Sequence, residues 1–207
     1  MSLEKIRIDL QGRPLLIVIS GSSGVGKDAT ITKLKESGFR FHHVTTVTTR
    51  PKRPGEIDKI DYHFISEEQF QQMVKKGEFL EWAQVYSSHY GVPKEEIKKA
   101  LKAGEDVIVR VDVQGASTIK RITPDAILIF LLPPSIEELP KRLEKRSNQP
   151  LSDLDVRLRK VYEEMKSLPI FDYAVVNHKD NLNLTASQIN AIVTAEKCRP
   201  KPRIVKL

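Results

Sequence analysis

The sequence contains a single cysteine, no apolar run long enough to cross a bilayer, and no repeated or low-complexity segment. The lone Cys198 excludes an internal disulfide framework and is compatible with a reducing compartment. Residues 1–12 alternate charged and apolar side chains and contain no secretory hydrophobic segment. From these absences we expect a cytoplasmic protein that does not act at a membrane.

The charge balance is basic, with 34 Lys and Arg against 27 Asp and Glu and a formal net charge of +7. Such a surplus suits either nucleic acid or a small molecule that carries several phosphates. Basic residues do not alternate with aromatic ones, and Trp82 is the only tryptophan, which favours the small molecule. We therefore expect no nucleic-acid partner. For the oligomeric state, we expect a monomer or a homodimer.

Short apolar runs alternate with helix-like segments along most of the 207 residues. Strands are predicted near residues 15, 107, 127 and 174. This alternation is typical of a single three-layer α/β domain with a mostly parallel sheet. The interval 40–92 breaks the alternation and predicts a small α+β lobe inserted between core segments 14–39 and 93–196. Residues 199–207 are basic and interrupted by proline, so we expect a frayed tail there.

A glycine-rich segment follows the first predicted strand and precedes a predicted helix. Its residues are Gly21, Ser22, Ser23, Gly24, Val25, Gly26, Lys27 and Asp28. The first seven match Gly-x-x-x-x-Gly-Lys, in the strand–loop–helix context that a phosphate-binding loop requires. Glycines allow several backbone N–H groups to point at one anion, and Lys27 adds a full charge for the β- and γ-phosphates. The segment predicts a nucleoside triphosphate site, although Asp28 occupies a position that is normally Ser or Thr.

Two further features indicate what a second ligand would look like. Arg50 and Arg53 lie on a loop that Pro51 and Pro54 stiffen, and guanidinium groups bind phosphate through paired hydrogen bonds. This arrangement favours an anion clamp over a solvated basic loop. Glu81 lies in an otherwise apolar and aromatic predicted strand, and a buried carboxylate needs donors. A guanine edge offers two adjacent donors, N1–H and N2–H₂, whereas adenine does not.

These features occur in an order and spacing that resemble the guanylate kinase family. The matching segments are residues 46–56, 61–62, 77–83, 90–91, 111–115, 132–135, 142–146, 157–158 and 176–177. The resemblance covers residues 14–196 and is much more specific than the glycine loop alone. It implies a P-loop NTPase core with a mostly parallel sheet, an inserted α+β GMP-binding lobe at 40–92 and a helical lid at about 142–158.

The resemblance implies transfer of the γ-phosphoryl group of ATP to GMP, with Mg²⁺, giving GDP and ADP. The residues that it places in catalysis are Lys27, Arg50, Arg146 and Arg157, the last two as lid arginines. Those that it places on GMP are Thr46, Arg50, Arg53, Glu56, Tyr62, Glu81, Tyr90 and Asp112. Asn177 would lie on the adenine side, and the loop from Gly21 to Asp28 would hold the donor phosphates.

The sequence departs from the family pattern at four positions. Asp28 replaces a hydroxyl that usually ligates Mg²⁺, and Arg110 replaces an aspartate. Val92 replaces a Ser or Thr near the guanine pocket, and Ser147 replaces a lid glycine. The first two exchanges lie at the same end of the sheet, so we hypothesise that Asp28 and Arg110 form a compensating ion pair. The alternatives are that Asp28 ligates Mg²⁺ itself, or that the exchange is neutral.

Two other functions compete with the kinase. The departures at Asp28 and Arg110 are compatible with an interaction module that has the fold but weakened or lost catalysis. A kinase acting on a phosphorylated sugar would share the phosphate loop, but Thr46 and Glu81, as readers of guanine, argue against it.

Overall fold

The computed structural model describes residues 13–22, 24–85, 87–135 and 154–207, except for the side chains of 154–158, 160 and 179. The strands are β1 (Leu16–Gly21), β2 (His42–His43), β3 (Val47–Thr48), β4 (His63–Phe64), β5 (Phe79–Val85), β6 (Ser88–Pro93), β7 (Val107–Arg110), β8 (Ile127–Leu132) and β9 (Tyr173–Val176). The helices are α1 (Lys27–Glu36), α2 (Glu67–Lys75), α3 (Lys94–Lys102), α4 (Val113–Ile122), α5 (Leu154–Met165) and α6 (Leu182–Lys197). None of these helices is long and apolar enough to cross a membrane.

The core sheet contains five parallel strands in the order β2-β7-β1-β8-β9. The central strands β1 and β8 are apolar on both faces and buried, as expected for strands that helices cover from both sides. One face packs against α1 and α6 through Leu34 and Ile189. The other packs against α3 and α4 through Ile97 and Ile119. The predicted three-layer α/β core is therefore confirmed.

A second sheet, in the order β4-β3-β6-β5, forms the lobe. Its longest pairing is the antiparallel hairpin of β5 and β6. Helix α2 packs on it through Phe70, whose ring stacks on that of Phe79 at 4.7 Å between centroids. A capping box begins α2, because the Ser66 hydroxyl accepts from Gln69 N and the Gln69 side chain accepts from Ser66 N. This cap and the buried Phe70 fix the helix against the lobe.

Three elements differ from the sequence prediction. Strand β2 lies in the interval assigned to the lobe, but it pairs with β7, so the core sheet includes residues 42–43. Strand β6 and helix α4 were not predicted, because each contains residues that weaken the local pattern, such as Gly91 in β6 and Gly115 in α4.

The prediction of a frayed tail at residues 199–207 is wrong. Arg203 pairs with Glu196, whose side chain is only 1% exposed, at 2.8 Å from Nε to Oε2. The same guanidinium donates to Asp172 at 3.3 Å. Val205 and Leu207 pack against the cluster that covers α3 and α4. Two apolar side chains and one buried ion pair thus hold a segment whose composition alone suggested exposure.

Candidate active site

The candidate site lies at the carboxyl ends of the core strands, where the lobe faces the sheet. Ligands in open parallel sheets bind at this edge. The cleft has a volume of about 220 Å³. Its core side is lined by Gly21, Lys27, Arg110, Val111, Asp112 and Glu164, and its lobe side by Thr46, Tyr62, Glu81, Ala83, Val85 and Tyr90. Seven of the predicted site residues line this cleft, namely Gly21, Lys27, Thr46, Tyr62, Glu81, Tyr90 and Asp112.

The glycine loop follows β1 directly and leads into α1. Gly21 has a φ of +141°, and a Cβ atom there would lie 2.5 Å from the Leu131 carbonyl oxygen, so only glycine fits beside β8. Gly26 has a φ of +101°, and its Cβ would lie 2.6 Å from Asn177 Nδ2. A side chain at either position would collide with a neighbouring residue, so both positions require glycine. Ser23, predicted within the loop, lies outside the described residues.

Lys27 is the first residue of α1, and its side chain folds back over the loop. Its Nζ donates to the carbonyl oxygens of Gly21 at 2.7 Å and of Ser22 at 3.3 Å. The ammonium group therefore lies at the loop, close to the partially positive helix N-terminus. This placement fits the predicted role of Lys27 toward donor phosphates.

Asn177 was predicted to lie on the adenine side, but the structure places it behind the loop. It is 2% exposed, and its Nδ2 donates to the Val25 carbonyl oxygen at 2.7 Å. Its Oδ1 accepts from the Thr185 hydroxyl at 3.1 Å. Both ends of the amide thus bond within the protein, and the residue supports the loop instead of facing a base.

The predicted anion clamp is held by a carboxylate. Arg50 binds Glu56 through two parallel hydrogen bonds, at 2.9 Å from Nη1 to Oε2 and 2.7 Å from Nη2 to Oε1. The Arg53 backbone N–H donates to the same Oε2 at 2.8 Å, while the Arg53 residue is exposed. The hydrogen bonds between Arg50 and Glu56 raise the pKa of the guanidinium and lower that of the carboxyl. Glu56 therefore orders the loop and occupies the fork that would bind phosphate.

Two tyrosines complete the lobe side of this region. The rings of Tyr62 and Tyr90 meet edge to face at 6.0 Å between centroids, and the Arg50 guanidinium lies 5.1 Å from the Tyr62 centroid. Burial raises the pKa of Tyr62, so its phenol is a neutral hydrogen-bond donor at physiological pH. Tyr62 and Tyr90 thus line one part of the cleft, and Arg50 lies next to Tyr62.

Glu81 is the most unusual polar group of the cleft. It is 6% exposed, and its Oε2 has no hydrogen-bond partner among the described residues. Burial, and secondly the nearby Asp112 carboxylate, raise the pKa of Glu81 to about 8. Thr46, also 6% exposed, lines the same cleft. A buried carboxyl oxygen without a partner is costly, and a ligand that donates to it removes that cost.

The hypothesised ion pair between Asp28 and Arg110 is present: Arg110 Nη1 contacts Asp28 Oδ1. The Arg110 side chain is 10% exposed and that of Asp28 is 51% exposed. The exchange of charges at these two positions is therefore compensated within the structure. It gives no reason to regard the donor end of the site as damaged.

The fit of a metal ion was tested against the same residues. No group of three or more His, Cys, Asp or Glu side chains in the described part of the chain could hold a metal. Asp28, proposed as a ligand, already pairs with Arg110. Asp112 lines the cleft and accepts from Gly115 N at 2.8 Å through Oδ1. These residues do not form a protein cage, but they suit a Mg²⁺ ion that phosphates bring with them, because such an ion needs only one or two carboxylates.

Most of the predicted lid at 142–158 lies outside the described residues. Arg146 lies outside the described residues, as does the side chain of Arg157, although its backbone belongs to α5. Glu164, also in α5, lines the cleft and was not predicted. No signal in the sequence distinguishes it from the neighbouring Glu163, which is exposed and pairs with Lys166.

The comparisons with known proteins agree with this geometry. The guanylate kinase family model matches residues 13–196, which is most of the chain. The chain belongs to the guanylate kinase family. Among its relatives, guanylate kinase 2 (chloroplastic/mitochondrial) of Oryza sativa subsp. japonica is 43% identical over 94% of this chain and 69% of that protein. The guanylate kinase of Carboxydothermus hydrogenoformans is 38% identical over 90% of this chain and 91% of that protein.

A solved guanylate kinase shares the fold. The crystal structure of guanylate kinase from Anaplasma phagocytophilum superposes with a TM-score of 0.74 at 28% identity, covering 91% of this chain and 88% of that one. The resemblance proposed from the sequence and the predicted P-loop α/β fold are both confirmed.

Proposed function

We propose that this chain acts as a guanylate kinase, which transfers the γ-phosphoryl group of ATP to GMP, and that each side of the cleft binds one of the two nucleotides. The core side receives ATP and the lobe side receives GMP. Phosphoryl transfer requires positioning and charge neutralisation more than covalent chemistry by the protein. The observation that carries the proposal is the buried Oε2 of Glu81, which has no hydrogen-bond partner among the described residues and belongs to a side chain that lines the cleft.

On the donor side, Lys27 and the loop N–H groups would bind the β- and γ-phosphates. The ammonium group bonds to the carbonyl oxygens of Gly21 and Ser22, so it already lies at the loop that would hold these phosphates. Asn177 keeps the loop in shape from behind. Mg²⁺ bound to the ATP phosphates would neutralise part of their charge, and Asp112, which lines the cleft, would offer it a carboxylate.

On the acceptor side, Arg50 would bind the GMP phosphate, with Tyr62 and Tyr90 as hydroxyl donors and Arg53 as a second cation. Glu56 occupies the two-donor fork of Arg50, so the GMP phosphate would replace this carboxylate at the guanidinium. Glu81 would accept from guanine N1–H and N2–H₂, and Thr46 lies beside it. AMP offers no such pair of donors and would leave Glu81 buried without a partner.

Water must be excluded, because it competes with GMP as an acceptor. The arginines at 146 and 157, in the proposed lid at 142–158, would close over the transferring group as the family resemblance implies. We further propose that the protein acts in the cytoplasm as a monomer or homodimer, with nucleotides and not nucleic acid as its partners. Its single cysteine and its lack of basic–aromatic patterning support this.

Replacing Glu81 by Gln tests the assignment of the base-reading group. Glu81→Gln should weaken GMP binding by about 1.5–3 kcal/mol, the range of a hydrogen bond to a charged group, and leave ATP binding unchanged. Calorimetric titration with each nucleotide measures both affinities. Glu78→Gln is the matched control, because it removes a carboxylate from the same segment whose side chain is 41% exposed and outside the cleft. Equal losses for GMP and ATP would contradict the assignment.

A further inference from the structure

Arg110 lies between the two halves of the site. It is the last residue of β7, next to Ile19 of β1 in the sheet register, and its side chain is 10% exposed. It lines the cleft together with Lys27 on one side and Tyr62 on the other. Its position follows from the topology, because β7 ends at the edge of the sheet where the lobe begins to face the core.

On the donor side, Arg110 pairs with Asp28, the residue that follows Lys27 at the start of α1. Asp28 is the more exposed partner, and Arg110 is the buried one. The carboxylate therefore orients a guanidinium that the cleft partly encloses. An oriented guanidinium presents its remaining N–H groups in fixed directions.

On the acceptor side, Arg110 contacts the lobe in two ways. Its Nη2 donates to the Asp61 carbonyl oxygen at 3.4 Å, and its guanidinium carbon lies 4.6 Å from the centroid of the Tyr62 ring. The Arg50 guanidinium lies 5.1 Å from the centroid of that same ring. Tyr62 is thus in contact with both the arginine of the phosphate clamp and the arginine that binds the donor helix.

We propose that Arg110 is a positioning residue that couples the donor loop to the acceptor lobe, and that Asp28 serves to hold it in place. The inference rests on the proposed function, because the lobe is taken to bind GMP. It gives Asp28 a role that is not metal ligation: Asp28 acts on GMP binding, through Arg110 and Tyr62, although it lies on the ATP side. The coupling needs neither ATP nor Mg²⁺.

Two conservative variants test this coupling. Asp28→Asn keeps the size of the side chain and removes its charge. Arg110→Lys keeps a cation for Asp28 but removes the planar fork that reaches Asp61 and covers Tyr62. GMP affinity is measured by calorimetry with no ATP and no Mg²⁺ present, and thermal unfolding is measured in parallel. Arg121→Met is the control for lost positive charge, because Arg121 is exposed and does not line the cleft.

We expect both variants to bind GMP at least about 5-fold more weakly than the unchanged chain, which is the lower end of a typical coupling between sites. Arg121→Met should bind GMP normally. The ratio of ATP affinities with and without Mg²⁺ should stay the same in Asp28→Asn. A purely structural role would lower the unfolding temperature without changing this set of affinities.

Three results would overturn the proposal. Unchanged GMP affinity in both variants, with or without a lower unfolding temperature, leaves the ion pair with no coupling role. Loss of the Mg²⁺ effect on ATP binding in Asp28→Asn, with normal GMP binding, makes Asp28 a metal ligand. Absence of GMP binding by the unchanged chain instead overturns the proposed function itself, which distinguishes that failure from the other two.

Discussion

At the scale of single residues, the charged groups of the site differ in whether the fold provides them with a partner of opposite charge or a hydrogen-bond donor. Arg50 has a bidentate partner in Glu56, and Arg110 forms an ion pair with Asp28 through one nitrogen and one oxygen. Glu81 has a neighbouring carboxylate, and its buried Oε2 has no donor within the part of the chain that the structure describes. A ligand that supplies two N–H donors should bind to such a carboxylate favourably, because it gives the buried oxygen a hydrogen bond.

The raised pKa of Glu81 predicts that GMP binding will release a proton. With a pKa of about 8 in the free protein, the carboxyl is mostly protonated at pH 7.5, and donors from guanine favour its ionised form. GMP affinity should therefore increase as the pH rises toward 8. Calorimetry in buffers of different ionisation enthalpy counts the released protons at pH 7.5, which lies above the pKa of a nucleotide phosphate, about 6.

The variant Glu81→Gln separates this proton from any other. The variant cannot ionise at position 81, but it keeps the residues of the anion clamp. Its proton release on GMP binding at pH 7.5 should therefore be smaller by a large part of one proton. Equal proton release by the unchanged chain and by the variant would show that Glu81 does not change ionisation on binding.

At the scale of elements, the phosphate loop depends on a residue distant from it in sequence. Asn177 follows β9 and donates to Val25 in the loop, while Thr185 of α6 donates to Asn177. The loop is thus held from behind by the far edge of the sheet and the last helix. Its conformation is a tertiary property as well as a local consequence of its glycines.

Replacing Asn177 by Leu tests this support. The change leaves the Val25 carbonyl oxygen without the Asn177 donor and leaves the Thr185 hydroxyl only its longer bond to Val176 O at 3.4 Å, which should cost about 1–3 kcal/mol of stability. It should weaken ATP binding and leave GMP binding near normal, because the lobe is not involved. Urea unfolding and nucleotide titration measure the two effects. Asn190→Leu, an exposed change on α6, should alter neither, and normal ATP binding by a destabilised Asn177→Leu would contradict the role.

How much of this could be predicted depended on whether the signal was local. Strands such as β1 and β8 and the loop ending in Lys27 carry their pattern within a few residues, and all were predicted. Helix α4 was missed because Gly115 in its first turn weakens the local helical pattern, although Asp112 caps the helix. The inward position of Asn177 was missed because an asparagine after a strand can face either way, and its partner lies 152 positions away in sequence.

At the scale of the whole molecule, the C-terminal tail closes the core. Arg203 connects the tail to Glu196 at the end of α6 and to Asp172 before β9, and Tyr173 donates to the same Glu196 at 2.7 Å. The hydrogen bond from Arg203 is the largest cause that lowers the pKa of Glu196, to about 2. A buried carboxylate of this kind requires its cation.

Removing that cation should be costly. Arg203→Met is expected to destabilise the fold by about 3 kcal/mol, because it leaves a buried charge with fewer partners. Arg199→Met is the matched control, since Arg199 contacts the same carboxylate but is 48% exposed, and its loss should cost at most about 1 kcal/mol. Urea unfolding measures both.

The pH dependence of this stability has a definite sign. A depressed carboxyl pKa stabilises the fold above its unfolded value of 4.5, and the contribution is lost as the pH falls toward 2. The difference between Arg203→Met and the unchanged chain should therefore shrink in that acid range. Equal unfolding free energies for Arg203→Met and Arg199→Met at neutral pH would show that the tail is not held in this way.

The central claim is that the cleft transfers phosphate from ATP to GMP, and ADP formation tests it most directly. With ATP and Mg²⁺ present, the chain should form ADP at about 1–100 per second when GMP is the acceptor. With AMP, or with no acceptor, the rate should fall by at least about 100-fold, since AMP lacks the paired donors for Glu81. Equal rates with GMP and AMP, or no GMP-dependent ADP formation by a folded protein, would contradict the account.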